Sequence, residues 1–572
     1  MNRWLIRKSA ITLVILALLA TCSNTPAQSQ EPGPPADTIA ARVDKLFATW
    51  DKPSSPGCAL AVIKDGSIVY KRGYGAADLD HDVPISSDTV FHVASVSKQF
   101  TAFSILLLAQ QGKLSLDDPV RKYITELRDF GTPITIRHLM HHTSGLRDQW
   151  NLLIMAGWRL SEDVVRDDDV LDLVSRMKSL NFKPGDEHLY SNTGYTLLAQ
   201  IVKRVSGQSL REFTEANIFK PLGMTHTFFR DDHAVVVKNQ AYAYNASPGG
   251  AFKLSVPNYD TVGASSLLTT VEDLAKWDQN FYDYRIGGKS IIEQMQVPGV
   301  LNGGTKIDYA MGLAVGKYKG LKIVEHSGGD AGYRSHLIRF PDQRFSVACL
   351  CNVGSANPSL LTKQVSEVYL TGQLTEAKSQ STQNAPAAEV KLTDQQIAAK
   401  VGIYWSSNSG DIARVTEKDG KLFIAAAGGS SPLSPVAENR FRILARPGEV
   451  SFESPRSGGA QRLILTLEGM PLINYEAVKS GVSAAEQLAE YAGAYYSDEI
   501  DSIYRIAVNE GKLTLVRKKF PPLTLQAAFM DGFTTGSLLG NIQFTRDQQQ
   551  RVSGFIASGG RVRNFKFVKQ PQ

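Results

Sequence analysis

The sequence predicts an α/β domain followed by two small antiparallel β-barrel-like repeats, on three observations. Strand-like and helix-like hydrophobic patterns alternate over residues 38–370. The periodicity then fails over residues 373–388, where Ser, Thr, Gln, Asn and Ala dominate, and this marks a linker at 371–390. Beyond it the chain repeats itself. Gly402, Tyr404, Trp405 and Ser406 correspond to Gly493, Tyr495, Tyr496 and Ser497, and Ile412, Arg414, Gly420, Lys421 and Leu422 to Ile503, Arg505, Gly511, Lys512 and Leu513, always 91 positions apart.

At the amino end, Arg3, Arg7 and Lys8 precede an apolar stretch at residues 10–20. A membrane-spanning helix needs about 20 apolar residues, so the pattern predicts a signal sequence over residues 1–27 and an exported protein, periplasmic or secreted. Leu19-Ala20-Thr21-Cys22 is close to a lipoprotein cleavage box, but threonine before the cysteine is atypical, and cleavage nearer Ala27 is preferred. A membrane tether follows only if Cys22 is lipidated. In the α/β domain, Asp65-Gly66 between two apolar runs predicts a hairpin. Residues 101–110 and 193–205 read as helices ended by Gly112 and Gly207. Short alternating segments such as 502–508 and 512–516, separated by turn residues, predict barrel-like repeats at 391–478 and 482–570.

The formal charge is +6, of which Arg3, Arg7 and Lys8 contribute three, leaving +3 for the rest of the chain. That balance predicts no nucleic-acid partner; the expected partner is a small-molecule or short-peptide substrate. No Cys/His cluster has metal-ligand spacing, so no metal or other cofactor is expected and a zinc mechanism is disfavoured. Of the four cysteines, Cys22 is in the leader, and Cys349 and Cys351 sit two apart on one face of a strand-like run. With Cys58 they read as buried, unpaired small side chains.

Ser95-Val96-Ser97-Lys98 carries the chemistry. Positions i and i+3 share a helix face, so Lys98 can take the proton of the Ser95 hydroxyl. For this the lysine pKa must fall from about 10.4 toward neutrality, and burial at a helix start promotes that through desolvation and the helix dipole. The pattern alone is unspecific. Two more stretches follow in order: Tyr190-Ser191-Asn192 after the Pro184-Gly185 turn, and His326-Ser327-Gly328-Gly329 after an apolar run. Together they resemble the serine β-lactamase and penicillin-binding protein superfamily. The similar branch has a Tyr-x-Asn second motif and includes class C β-lactamases, DD-carboxypeptidases, D-aminopeptidases and related esterases. His142-Thr143-Ser144-Gly145-Leu146, Pro221-Leu222-Gly223-Met224 and residues 332–352 look like further family landmarks, and the resemblance covers about residues 38–370.

The resemblance implies a β-lactamase/transpeptidase-like domain, an antiparallel sheet flanked by helices. It makes Ser95 the nucleophile, Lys98 its base and Tyr190 the group that passes a proton to the leaving group. Asn192 would bond the substrate's acyl amide or the Lys98 amine. His326, Ser327, Gly328 and Gly329 would bind substrate from an edge strand, with the Ser95 and Gly329 N–H groups holding the oxyanion. Asp330 and Arg334 are either substrate contacts or solvated loop charges. His141 and His142 are assigned to structure, as is Asp273, a helix-start acid. Because the first and last strands of such a domain lie near each other, a bridge from Cys58 to Cys349 or Cys351 is the alternative to free thiols.

One position departs from the pattern. Where β-lactamases and DD-carboxypeptidases usually carry lysine, this chain has His326, mostly neutral at pH 7. The change favours amides and esters lacking a required carboxylate over β-lactams. The order of one catalytic domain and two barrels resembles the D-aminopeptidases of the family. The expected function is an exported serine hydrolase working through an acyl-enzyme on short D-amino-acid peptides, amides or esters. The alternatives are a β-lactamase or DD-carboxypeptidase of the same mechanism, and a non-hydrolytic penicillin- or muropeptide-binding sensor.

Overall fold

The computed structural model describes residues 38–571 except 376–389, 427–428, 445–447, 455–459, 468–471, 480–484 and 538. The expected leader at 1–27, Cys22 within it, and most of the linker lie outside the described residues. The centre of the first domain is a six-stranded antiparallel sheet. Its order is Ala314–Tyr318, Leu321–Asp330, Tyr333–Phe340, Phe345–Cys351, Cys58–Lys64 and Ser67–Tyr74. The Asp65-Gly66 turn joins the last two with φ of 49° and 80°, the positive values that a tight hairpin turn of this kind requires.

Strand Cys58–Lys64 shows why helices cover both faces: every residue but Lys64 is buried. Cys58, Leu60 and Val62 pack with the Ile39–Phe47 and Pro358–Tyr369 helices, whereas Ala59, Ala61 and Ile63 join the larger core on the opposite face. Buried in that core is Lys98–Gln110, apolar on all sides from Phe100 to Leu108 apart from Thr101 and Ser104, as an interior helix must be. Helix Asn192–Ser206 packs against it and ends at Gly207, whose φ of 74° supplies the left-handed C-cap.

The cysteines correct the sequence-based expectation of three free thiols. Strands Cys58–Lys64 and Phe345–Cys351 pair antiparallel with Cys58 opposite Cys351, their Cα atoms 4.0 Å apart, and the two are disulfide-bonded. Register decides the choice, since Cys349 faces Leu60 and remains a free, buried thiol.

The two C-terminal repeats form separate sheets. Eight strands from Gly402–Trp405 to Ile473–Val478 close into a barrel with its own core, including Tyr404, Phe441, Val450 and Tyr475. Nine strands make the second unit, which stays open between Leu523–Thr524 and Gln526–Phe529. Its aromatic core, including Tyr495, Tyr504, Phe555 and Phe567, is continuous with the core of the catalytic domain. Trp405 and Phe529, with ring centroids 5.4 Å apart, join the repeats to each other. Among the described residues no helix is long and apolar enough to cross a membrane.

Candidate active site

The chain enters the site through a strained turn. Ala94 has a φ of 47°, unusual for a residue with a side chain, and begins a 3-10 turn, Ala94–Ser97, that runs into the Lys98–Gln110 helix. Ser97 fixes this turn by donating to Ala94 O at 2.5 Å and accepting from Leu267 N at 3.1 Å. Ser95 is left half-buried at the mouth of a cavity while Lys98, one turn on, is completely enclosed. The helix starts at Lys98, earlier than the 101–110 expected from periodicity, because the 3-10 turn that carries Ser95 runs directly into it.

Lys98 Nζ has three partners: Ala264 O at 2.6 Å, Asn192 Oδ1 at 2.9 Å and Ser95 Oγ at 3.1 Å. Burial pushes its pKa well below the usual lysine value, the positive charge of Arg561 adds to the fall, and Asp148 and Asp330 oppose it. A neutral amine has two N–H bonds and one lone pair. The two carbonyl oxygens can only accept, so they take the N–H groups and the lone pair faces the Ser95 hydroxyl. The amide orientation behind this count is set by Asn192 Nδ2, which donates to Asp148 Oδ2 at 2.8 Å. Asn192 thus bonds the Lys98 amine, one of its two expected roles, gives one N–H of its Nδ2 to Asp148, and lines the cavity.

Tyr190 lies against the lysine, with Lys98 Nζ 4.8 Å from its ring centroid. Burial raises the phenol pKa, while Ser95 and Arg561 pull it the other way, so the group stays protonated and able to donate. Its enclosed hydroxyl has no well-formed hydrogen bond. His142 supports the ring from below at 4.1 Å, and its Nδ1 accepts from Ser191 N at 3.2 Å. Burial depresses the His142 pKa well below that of a free imidazole. His141 Nδ1 donates to Tyr309 O at 3.3 Å, and the ring is likewise buried. Asp273 lies in the first turn of a helix capped by Thr270, and its carboxylate ties down the 226–227 segment by accepting from His226 N and Thr227 Oγ1.

The third motif lies on Leu321–Asp330. This strand is second in the sheet, not at its edge as expected, but Ala314–Tyr318 pairs only with residues 321–325 and leaves 326–330 uncovered. A Cβ on Gly328 would lie 2.3 Å from Val93 O and 3.1 Å from Ser95 N, so glycine is what lets this strand press against the serine turn. His326 Nδ1 donates to Ser327 O at 2.6 Å, which leaves Nε2 to accept from Tyr309 OH at 3.0 Å. Burial, above all, brings its pKa down to about 3, so the imidazole is neutral. Ser327 and Gly329 line the cavity beside it, as do Asp330 and Arg334. Asp330 bonds Tyr259 OH, and Arg334 Nη1 is held by Ala331 O and Tyr333 O at 2.9 and 2.7 Å.

The cavity is large, about 1320 Å³, and its far wall is not part of the first domain. Arg517, Lys519, Phe520 and Arg561 of the second repeat face Ser95, Tyr190 and His326 across it. Arg561 stacks on the Tyr190 ring at 4.6 Å. Sequence reasoning missed this residue, along with Tyr309 and Asp148. Asp148 carried a local signal, since it caps the Gln149–Met155 helix by accepting from Trp150 N and Asn151 N. Two groups of close potential metal ligands occur among the described residues, Cys58/Cys349/Cys351 and Asp232/His233/Asp260, and neither lines this cavity.

The Beta-lactamase family model matches residues 38–365. Penicillin-binding protein 4* of Bacillus subtilis is 32% identical over 425 residues, 71% of this chain and 92% of that protein. A D-aminopeptidase of Gluconobacter oxydans is 25% identical over 82% of this chain and 84% of its own length. The octameric penicillin-binding protein homologue from Pyrococcus abyssi superimposes with a TM-score of 0.53 at 26% identity, covering 76% of this chain and 99% of that one. With a lysine-paired serine within the matched region, the chain belongs to the beta-lactamase family and is a serine hydrolase.

Proposed function

We propose that this protein is an exported hydrolase that forms an acyl-enzyme at Ser95 and cleaves amide or ester bonds in short D-amino-acid peptides, amides or esters. The observation that carries the reading is the fully buried Lys98 amine, 3.1 Å from Ser95 Oγ and held by Ala264 O and Asn192 Oδ1, with burial pushing its pKa well below the usual lysine value. Ser95 Oγ attacks the substrate carbonyl as its proton moves to Lys98 Nζ. The oxyanion is met by the N–H groups of Ser95 and Gly329, which such a site needs fixed in advance. Tyr190 gives its proton to the leaving group as the scissile bond breaks and recovers one from Lys98. Water then attacks the ester in the reverse sense: Tyr190 passes its proton to Lys98 and takes one from the water, and Lys98 protonates Ser95 Oγ as the acyl–oxygen bond breaks.

Similarity to a D-aminopeptidase over 84% of its length supports D-configured substrates. Similarity to penicillin-binding protein 4* favours a second reading, a DD-carboxypeptidase or β-lactamase of the same mechanism. Export rests on the basic and apolar pattern of residues 1–27. The test is Ser95→Ala assayed on a D-alanine amide, an activated ester and a penicillin. Loss of all turnover with an unchanged circular dichroism spectrum is expected, and retained turnover would sink the mechanism.

A further inference from the structure

Arg561 sits on the turn between the Val552–Gly559 and Val562–Lys569 strands of the second repeat, and this turn is fastened to the catalytic domain. Its carbonyl accepts from Asn181 Nδ2 at 3.0 Å and from Asp148 N at 3.4 Å, while Arg563 N donates to Asn181 Oδ1 at 2.8 Å. The approach is close: a Cβ on Gly560 would lie 2.4 Å from Asn151 Nδ2. The backbone is thus fixed, and the guanidinium is carried to the Tyr190 ring.

What that guanidinium lacks is a saturating partner. Asp148 is 3.5 Å away, but its carboxylate already accepts from Trp150 N, Asn151 N, Asn192 N and Asn192 Nδ2. The other cations around the cavity are engaged. Arg159 pairs with Glu162 and Asp163, Lys519 with Asp163 at 2.7 Å, Arg517 donates to Ile154 O, and Arg334 bonds its own loop. The Arg561 side chain keeps 40% of its surface exposed and faces the cavity. Across the cavity, His326 is neutral where the resemblance would put a lysine.

We propose that Arg561 forms a carboxylate-binding subsite on the leaving-group side of the active site, so that the second C-terminal repeat selects substrates whose departing portion carries a free carboxylate. The proposal rests on the hydrolase reading above. Stacked on the residue that protonates the leaving group, Arg561 stands where the departing half lies. A planar guanidinium can grip a carboxylate with two parallel hydrogen bonds, which a lysine on the sheet could not. The charge absent at His326 comes from a different part of the chain, and the preference expected from the histidine alone is reversed.

The test uses the full chain and a matched pair, N-acetyl-D-alanyl-D-alanine and its C-terminal amide. Arg561→Gln is expected to lower the acid-to-amide ratio of kcat/KM by about tenfold, chiefly through KM of the acid, with Arg561→Lys recovering part of it. A ratio that stays within about twofold of wild type overturns the subsite, including when both substrates slow together, which assigns Arg561 to positioning Tyr190 and Asp148. Calorimetric binding of the same pair to Ser95→Ala, with and without Arg561→Gln, separates the two readings. If wild type cleaves neither substrate but binding of the acid depends on Arg561, the hydrolase reading fails and the subsite stands. If binding shows no such dependence, the subsite fails.

Discussion

The two C-terminal repeats share a sequence pattern at a constant offset, yet only one is part of the active site. The first closes on itself around its own core and meets the rest of the molecule through a few residues such as Trp405. The second merges its aromatic core with the catalytic domain and lends Arg561 to the cavity. The difference lies in residues outside the shared scaffold. Glu499, which pairs with the buried Arg147 at 2.8 Å and accepts from Lys178 N at 2.7 Å, corresponds to Asn408. Tyr504, which donates to Met155 O at 2.6 Å, corresponds to Ala413, and Arg517 to Ala426. A duplicated fold can therefore be converted into a wall of an active site by a handful of docking side chains, with its strand pattern unchanged.

The largest expected effect is at the Arg147–Glu499 pair, whose side chains are only 1% and 7% exposed. Glu499→Ala leaves a buried cation without its partner and should destabilise by about 3–5 kcal/mol, whereas Asn408→Ala should change stability by less than about 0.5 kcal/mol. Scanning calorimetry checks the contrast, and equal shifts would break it. Next is Tyr504→Phe, which strips a buried carbonyl of its donor and should cost about 1–3 kcal/mol. An unchanged transition temperature would remove that contact from the account.

A pH profile sharpens the comparison further. Lys98 acts when neutral, so activity rises with pH as it loses its proton. The positive charge of Arg561 favours the neutral amine, so Arg561→Gln should raise the Lys98 pKa and move the acid limb of kcat/KM to higher pH. A limb that stays in place, or moves down, would show that the second repeat does not act on the base. The smallest effect belongs to Lys519–Asp163, a solvent-exposed bridge at the rim, where Lys519→Ala should cost less than about 1 kcal/mol by the same calorimetry.

Much of the site was legible because its chemistry is local or ordered along the chain. Ser95 and Lys98 are a turn apart, and Tyr190, Asn192 and residues 326–329 come in motif order, and the fold brings them together. The alternating domain and the 91-residue offset likewise exposed the catalytic sheet and the two barrel-like units. What escaped depends on long-range register. Nothing near Cys58 says that it faces Cys351 rather than Cys349, since that is decided by how two strands 293 residues apart align. Tyr309 has no motif around it and becomes part of the site only by bonding His326. Arg561 lies in a repeat whose pattern predicts a barrel turn, and its place over Tyr190 depends on a docking that no periodicity encodes.

The most direct test of the central claim, acyl transfer through Ser95, is time-resolved intact-mass spectrometry of the full chain mixed with a D-alanine amide, an activated ester and a penicillin. The account predicts a transient mass increase equal to the acyl portion, mapped to the peptide containing Ser95, that clears as product appears and is absent in Ser95→Ala. Product formation with the acyl group trapped on another residue, or undiminished in Ser95→Ala, would contradict it.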